Sequence, residues 1–155
     1  MQDLTSSEVG VDRFPLGDLF DKSFYTIDYY QREYAWGTDE VRTLVEDLLR
    51  AFYGWWGASE YQRHPDLAPQ YFLGPFVYYQ GKGDIRHLVD GQQRFTTLHL
   101  ILMSLRNLGK EYEMDQYDEM LTPLIRKRAS ALRTRYRIDI PERSRVLDSI
   151  FRDRP

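Results

Sequence analysis

Hydrophobic residues recur with a helical period in two stretches of the chain. In residues 39–53 apolar side chains recur three and four positions apart, which places them on one face of a helix. They are Val41, Leu44, Val45, Leu48, Leu49 and Phe52. Thr38 precedes this stretch and is the predicted N-cap. A second stretch follows Gly91 and predicts a helix to about residue 108, ended by Gly109. Its predicted buried side carries Phe95, Leu98, Ile101, Leu102, Leu105 and Leu108.

Runs of β-branched and aromatic residues predict the strands. Residues 24–30 favour one strand, and residues 71–80 and 84–90, separated by Gly-Lys-Gly, favour the two strands of a hairpin. Pro75 cannot donate a ladder hydrogen bond, so it predicts a bulge or an edge position in the first of these. A short helix is predicted at 15–21, where Pro15 suits the first turn. Strands mixed with helices in this order indicate an α/β (α+β) domain with a small mixed sheet.

Charge changes sign along the last third of the chain. An acidic stretch near residues 111–120 is followed by a basic one, predicted to lie in a helix and the segment after it. Residues 135–140 favour a strand, and a last amphipathic helix is predicted from Pro141 and is cut short by the chain end, which suggests a fragment. The basic stretch either touches a nucleic-acid backbone or, as is more common beside an acidic run, forms internal ion pairs on a solvated face. Its residues are Arg126, Lys127, Arg128, Arg133, Arg135 and Arg137.

Composition narrows the classes of protein that fit. The 155 residues are 42% hydrophobic and 15% aromatic, enough to bury the core of one domain. The formal net charge is only -3, so any anion site must be local. The chain has no cysteine, which excludes disulfides and thiolate zinc sites, and its three histidines are scattered. The sequence has neither a signal-peptide pattern nor a membrane-spanning run, so we expect a soluble, cytoplasmic protein without a membrane partner.

The stretch Asp90-Gly91-Gln92-Gln93-Arg94 lies where a predicted strand passes into a predicted helix. The first N–H groups of a helix have no intrahelical acceptor and attract an anion, and a phosphate is a natural occupant. Arg94 would add a charge-assisted contact to phosphate oxygens. Asp90 would repel a bare phosphate, so beside a nucleotide it should hold Mg²⁺ or polarise a water. Gln92 or Gln93 could orient an attacking water, because an amide both donates and accepts.

Local physical chemistry alone favours a simpler interpretation of this stretch. Aspartate is a common N-cap, so Asp90 would cap the helix, Gly91 would allow the turn, and the three polar residues would be solvated. His87 and His99 are candidates for acid–base groups, but a packed or surface role is the commoner one for an isolated histidine.

A second polar stretch, YYQREYAW at residues 29–36, interleaves aromatic and hydrogen-bonding side chains. Its three aromatic side chains, Tyr30, Tyr34 and Trp36, would place stacking rings beside hydrogen-bonding groups, as base or nucleotide recognition requires. The hydrogen-bonding residues between them are Gln31, Arg32 and Glu33. Alternating aromatic and polar residues are equally typical of a half-buried strand end.

In combination these stretches resemble a known family. YQREYAW, YFLGPFVYY and HLVDGQQRFTTLHLILMSL, in this order and spacing between about Phe24 and Leu108, resemble the N-terminal domain of the GmrSD-type restriction enzymes, which are bacterial phage-defence proteins. The resemblance implies a ParB/sulfiredoxin-like fold with a small mixed sheet flanked by helices. It also implies that the DGQQR segment binds and hydrolyses a nucleoside triphosphate in the service of restricting modified or foreign DNA. We therefore expect a nucleotide-binding domain at 1–110 and the start of a helical extension at 111–155.

The resemblance assigns expected roles residue by residue. Asp90, Gln92, Gln93 and Arg94 would be catalytic, Gly91, Arg94 and Arg32 would bind the nucleotide, Asp90 would hold Mg²⁺, and Tyr30 and Gln31 would sense DNA or its modification. The expected partners are a nucleoside triphosphate, DNA and a C-terminal His-Asn-His type nuclease domain or subunit, which these 155 residues lack; a homodimer is also compatible. The alternative is a module of the same fold that binds nucleotide or DNA without turnover.

Overall fold

The computed structural model describes residues 10–28, 34–57, 70–130 and 133–152, and over these the protein is mixed α/β. A four-stranded sheet is flanked by helices, as predicted, and two further strands form a second sheet. None of the helices in these ranges has the length and apolar character needed to cross a membrane. The elements in chain order are α1 (Leu16–Lys22), β1 (Phe24–Thr26), α2 (Thr38–Trp56), β2 (Val77–Gln80), β3 (Ile85–Asp90), α3 (Gln92–Glu111), α4 (Asp115–Ile125), β4 (Arg126–Ser130), β5 (Arg133–Tyr136), β6 (Ile138–Asp139), a 3₁₀ turn (Pro141–Arg143) and α5 (Ser144–Phe151).

The main sheet has the strand order β2-β3-β1-β6. β1 runs parallel to β3 and to β6, while β2 and β3 form the predicted antiparallel hairpin. β2 is the edge strand and its register shifts between Val77 and Tyr78, so the predicted irregularity exists, although Pro75 itself precedes the strand. Because β6 comes from the C-terminal part of the chain, residues on both sides of position 110 build one sheet.

The core lies between one face of this sheet and α3. Tyr25, Leu88 and Ile138 are fully buried on that face. The Tyr25 ring meets the Phe95 ring of α3 edge-on, with 4.7 Å between the ring centroids. Side chains of a strand alternate between its two faces. Val89, which follows Leu88 on β3, therefore points away from this core and is about half exposed.

Helix α3 differs from its prediction at its C-terminal end. Gly109 does not end the helix, which continues to Glu111, and is buried against α4: a Cβ added there would lie 2.7 Å from the Tyr117 Cβ. Leu105 and Leu108, predicted to be buried, are each 47% exposed. Arg106 is buried instead. The hydrophobic period placed the buried face correctly only in the first half of the helix.

Helix α2 begins one residue earlier than predicted, and the predicted cap was wrong. Thr38 is the first helical residue, and Gly37 is the N-cap. The Glu40 carboxylate accepts the Gly37 N–H at 2.9 Å. Of the apolar face predicted for this helix, Leu44 is buried, whereas Phe52 is 45% exposed.

The described residues of the arginine-rich stretch are not helical, although the stretch was predicted to lie in a helix and the segment after it. The stretch forms the antiparallel hairpin β4–β5, in which Lys127 is paired with Arg135. The strand predicted at 135–140 exists but is divided between β5 and β6, whereas β4 has no β-branched or aromatic residue and therefore little strand signal. The last helix, α5, follows the 3₁₀ turn and buries Leu147 and Phe151.

Candidate functional site

The strand-to-helix turn at Asp90 and Gly91 has a glycine-specific conformation. Gly91 is the N-cap of α3 and has φ +80°, in the left-handed region that favours glycine. A Cβ on Gly91 would also lie 2.8 Å from the Phe76 Cβ. The turn therefore requires glycine for two reasons, its backbone angle and the close approach of the 73–76 segment.

Asp90 does not cap α3. Its side chain is exposed at the C-terminal end of β3, and no side-chain cap bonds the first turn of the helix within the described ranges. The first intrahelical bond is the one from the Phe95 N–H to the Gly91 carbonyl. An exposed carboxylate therefore lies beside the N-terminal end of the helix without capping it, and the simpler interpretation of Asp90 as an N-cap is wrong.

The two glutamines of the motif point in different directions. The Gln92 amide nitrogen donates to the Leu88 carbonyl at 3.1 Å and to the Val89 carbonyl at 3.3 Å, so it folds back onto β3. The Gln93 Oε1 instead accepts the N–H groups of Ala35 and Trp36, at 2.7 and 3.2 Å. Gln93 thus joins the start of α3 to the segment that leads into α2.

A hydroxyl chain reinforces that junction. The Tyr34 hydroxyl lies 2.8 Å from the Thr97 Oγ1, and the Thr97 hydroxyl donates to the Gln93 carbonyl at 2.8 Å. Since Thr97 has only one hydroxyl proton, Tyr34 must be the donor to Thr97. Tyr34, Gln93 and Thr97 together attach residues 34–36 to the first turns of α3.

Arg94 contacts a different segment of the chain, Leu73–Phe76. Its Nη1 donates to the Pro75 carbonyl at 3.2 Å. Gly74 has φ +91°, and a Cβ on it would lie 2.5 Å from the same Nη1. Gly74 therefore lets the backbone lie directly against the guanidinium. Within the described ranges Arg94 forms no ion pair, so its charge is oriented there without being neutralised by a carboxylate.

Three of the predicted site residues, Tyr30, Gln31 and Arg32, lie outside the described residues. They precede Tyr34 in the chain by two to four positions.

The described part of the chain contains no cluster of three or more histidine or acidic residues suited to a metal ion. Mg²⁺ is commonly held by one or two carboxylates together with substrate phosphates and water. The exposed Asp90 beside the N-terminus of α3 fits this mode, in which phosphates and water would supply the remaining ligands.

The two candidate histidines are both occupied by structural contacts. His99 is 1% exposed and bonds the Ile125 carbonyl through Nε2 at 2.9 Å; burial lowers its pKa to about 4, so the ring is neutral near pH 7. His87 lies on β3, with its Nδ1 3.3 Å from both Asp28 carboxylate oxygens, and stacks on the Tyr79 ring at 4.6 Å. Its side chain belongs to the alternate face of the strand from Leu88, away from the core.

The arginine-rich stretch is largely paired internally. Arg135 bonds the Asp139 carboxylate at 3.0 Å, and the buried Arg137 bonds that of Asp21 at 3.1 Å. Lys127 also lies 3.8 Å from Asp21. Arg126 lies over the Phe151 ring, 3.7 Å from its centroid. These contacts agree with internal ion pairing, which is the commoner alternative for such a stretch.

Two residues that support the motif are not among the predicted site residues. Thr97 bonds Gln93, and Gly74 lies against Arg94. A glycine before a proline within a predicted strand was a usable signal for Gly74, because it is a typical turn. Thr97, four residues after Gln93, had no such signal.

A comparison with known families finds one that matches nearly the whole chain. The family described as "GmrSD restriction endonuclease, N-terminal domain" matches residues 16–152. This range includes the strand-to-helix turn, the segment 34–36 and the segment Leu73–Phe76. A comparison with curated proteins finds no match.

Proposed function

Because the chain belongs to the family of GmrSD restriction endonuclease N-terminal domains, and so to a restriction and phage-defence protein, we propose that it binds and hydrolyses a nucleoside triphosphate at the N-terminus of α3. The observation that carries the proposal is the state of the DGQQR turn. The helix end has no side-chain cap within the described ranges, and both an exposed carboxylate and an oriented guanidinium adjoin it.

Arg94 is the proposed phosphate-binding residue. The first-turn N–H groups and the helix dipole favour an anion at this end, by about 0.3 to 2 kcal/mol for the dipole. The contact with Pro75 fixes one edge of the guanidinium, so less conformational entropy is lost when a phosphate binds. Gly91 contributes by allowing the backbone to turn close to the ligand.

Asp90 is the proposed ligand of Mg²⁺, which the proposed hydrolysis of a triphosphate would require. When bound, the ion would neutralise charge on the phosphates. Asp90 is suited to the role because its carboxylate is exposed and makes no cap to α3. A glutamine of the motif would orient the attacking water, and Arg32 would complete the nucleotide-binding wall, while Tyr30 and Gln31 would contact DNA or its modification.

The test is release of inorganic phosphate from each triphosphate in the presence of Mg²⁺, with and without DNA. Removal of Arg94 or Asp90, by Arg94→Ala or Asp90→Ala, should lower turnover by on the order of 10² to 10³. Arg143→Ala and Asp115→Ala are matched controls, since both residues are exposed and Asp115 also stands in the first turn of a helix. Unchanged turnover in folded Arg94→Ala or Asp90→Ala protein would refute the proposed roles.

One observation favours a module that binds without turnover. Both motif glutamines already bond backbone groups through their side chains, as a rigid binding site would require. Such a module would bind a non-hydrolysable triphosphate, or DNA with a steep dependence on salt, and release no phosphate from any triphosphate. A nuclease domain or subunit would then act on the DNA.

A further inference from the structure

We propose that Gln93 is a positioning residue, which holds the segment 34–36 on α3, and that it is not the glutamine that orients water. This inference rests on the proposed function for its consequence in catalysis, but its structural part stands on contacts alone. The two glutamines are adjacent in the sequence, and the structure separates their contacts.

The oxygen of Gln93 is committed to the backbone. Oε1 accepts two neighbouring N–H groups, those of Ala35 and Trp36, at 2.7 and 3.2 Å. A carbonyl oxygen has two lone pairs, so these bonds use its accepting capacity. An amide that orients a nucleophilic water needs that oxygen to accept a hydrogen bond from the water. Gln93 therefore holds residues 34–36 against α3, and we call this set of bonds the clamp.

The clamp has a second attachment, through Tyr34. Its hydroxyl donates to Thr97, which donates in turn to the main-chain carbonyl of Gln93. Residue 34 and residues 35 and 36 are thus bonded to the same two turns of α3, one through a side chain and the others through the backbone. Two independent attachments fix the orientation of a short segment as well as its position.

The position of α2 depends on this segment. Gly37, the N-cap of α2, directly follows Trp36. Within the described ranges α2 has few other close contacts, and Leu44 is its buried residue. The segment also directly follows the stretch that contains Tyr-Gln-Arg. Gln93 consequently positions, against the first turns of α3, the segment that leads into α2.

Backbone amide exchange measured residue by residue by NMR tests the clamp without any assay of activity. In Gln93→Leu the Ala35 and Trp36 amides should exchange about tenfold faster, the effect of losing one hydrogen bond of ordinary strength. In Gln93→Glu, which keeps an accepting oxygen, their protection should persist. The Tyr117 amide, bonded to the Met114 carbonyl in α4, should be unchanged in both variants.

Steady-state phosphate release separates this inference from the proposed function. A positioning role predicts that Gln93→Leu raises KM with kcat changed little, whereas loss of a water-orienting group lowers kcat. Tyr34→Phe should raise KM in the same direction, and Ser104→Ala is its control, since that hydroxyl bonds only within α3 in the described structure.

Each outcome decides one claim. Unchanged exchange at Ala35 and Trp36 in Gln93→Leu, loss of protection in Gln93→Glu, or a fall in kcat alone would overturn the positioning role. If wild-type protein releases no phosphate, the proposed function fails, and the exchange data still decide the clamp. If Gln93→Leu does not fold, faster exchange of the two amides in Tyr34→Phe supports the clamp, and unchanged exchange there contradicts it.

Discussion

The two ends of α3 carry the same kinds of residue in different surroundings. Each has a glycine in close contact with a neighbouring segment and an arginine whose nitrogen bonds a carbonyl oxygen. At the C-terminal end Arg106 is 5% exposed and bonds the Asp118 carboxylate, the Thr122 hydroxyl and the Phe151 carbonyl. At the N-terminal end Arg94 is half-buried and bonds the Pro75 carbonyl.

The partners of the two arginines distinguish a structural arginine from one suited to binding a ligand. Arg106 is matched by a carboxylate and by the Phe151 ring, 3.8 Å from the guanidinium carbon, so its charge is neutralised within the fold. Asp118 correspondingly has a lowered pKa: burial opposes that shift, but bonds from Thr122 and Arg106 and the charge of Arg106 outweigh it. The Arg94 guanidinium is oriented by its bond to the Pro75 carbonyl, which does not neutralise its charge. The first arrangement stabilises the protein, and the second suits an anion.

The largest expected effect on stability is at the C-terminal end. Arg106→Ala removes the buried partner of an ion pair, and the loss of one partner from a fully buried pair typically costs about 3–5 kcal/mol. Because the Asp118 side chain is 39% exposed and can be hydrated, we expect the lower part of that range. Urea unfolding measures the effect. Arg94→Ala, the comparison, should change the free energy of unfolding by less than about 1 kcal/mol; an equal loss at both ends would remove the distinction between them.

The middle of α3 gives a prediction for pH. His99 has its pKa lowered to about 4 by burial, from 6.5, so the unfolded chain binds the proton more readily. Its contribution to stability is complete above pH 6.5 and is lost as the pH falls to about 4. At about 1.4 kcal/mol per pKa unit, the difference between 6.5 and about 4 corresponds to a full loss of about 3.5 kcal/mol.

Urea unfolding at several pH values tests this effect of His99. The variant His99→Gln, which retains a donor for the Ile125 carbonyl, should have a flatter stability profile between pH 6.5 and 4. An unchanged profile would mean that other groups cause the dependence.

The sequence was informative at the first half of α3 and much less so beyond it. A helical period identifies a buried face only while one neighbour covers the helix, as the sheet does near Phe95 and Leu98. Near Arg106 the neighbours are α4 and α5, and polar bonds satisfy the buried groups. No periodicity of apolar residues could predict that.

The candidate site was predictable in position but not in its internal contacts. The Asp-Gly turn and the polar residues after it located the helix end, and the resemblance to a family assigned a ligand. The partners of Gln93 lie 57 and 58 residues away in the chain, and Gly74 meets Arg94 from 20 residues away. Contacts at such separations depend on the tertiary fold, so local patterns do not predict them.

Gly91 and Gly109 lie at the two ends of α3, and we expect substitution of either one to lower stability. Gly109→Ala should cost about 1–3 kcal/mol, because the added Cβ would lie 2.7 Å from that of Tyr117 and α4 must shift. Gly91→Ala should cost about 1–2 kcal/mol from its positive φ, with a further contribution from the contact with Phe76. Thermal or urea unfolding measures both costs.

Phosphate release separates the glycine variants by role. Turnover per folded molecule should fall in Gly91→Ala, whose turn adjoins the proposed phosphate site, and stay near wild type in Gly109→Ala. A fall of similar size in both would show that the proposed site responds to any distortion of α3.

The smallest expected effect distinguishes a cap from a ligand at Asp90. Since the Asp90 carboxylate bonds no N–H group of α3, Asp90→Ala loses only its interaction with the helix dipole, about 0.3–0.5 kcal/mol. Glu40→Ala at α2 is the matched comparison, because that carboxylate does bond the N-cap residue, Gly37, and should cost about 0.5–1 kcal/mol. Both values are measured as changes in urea unfolding without Mg²⁺ or nucleotide. A loss of about 1 kcal/mol or more in Asp90→Ala would show that this carboxylate caps α3. The N-terminal end of α3 would then be stabilised by contacts within the fold, as its C-terminal end is.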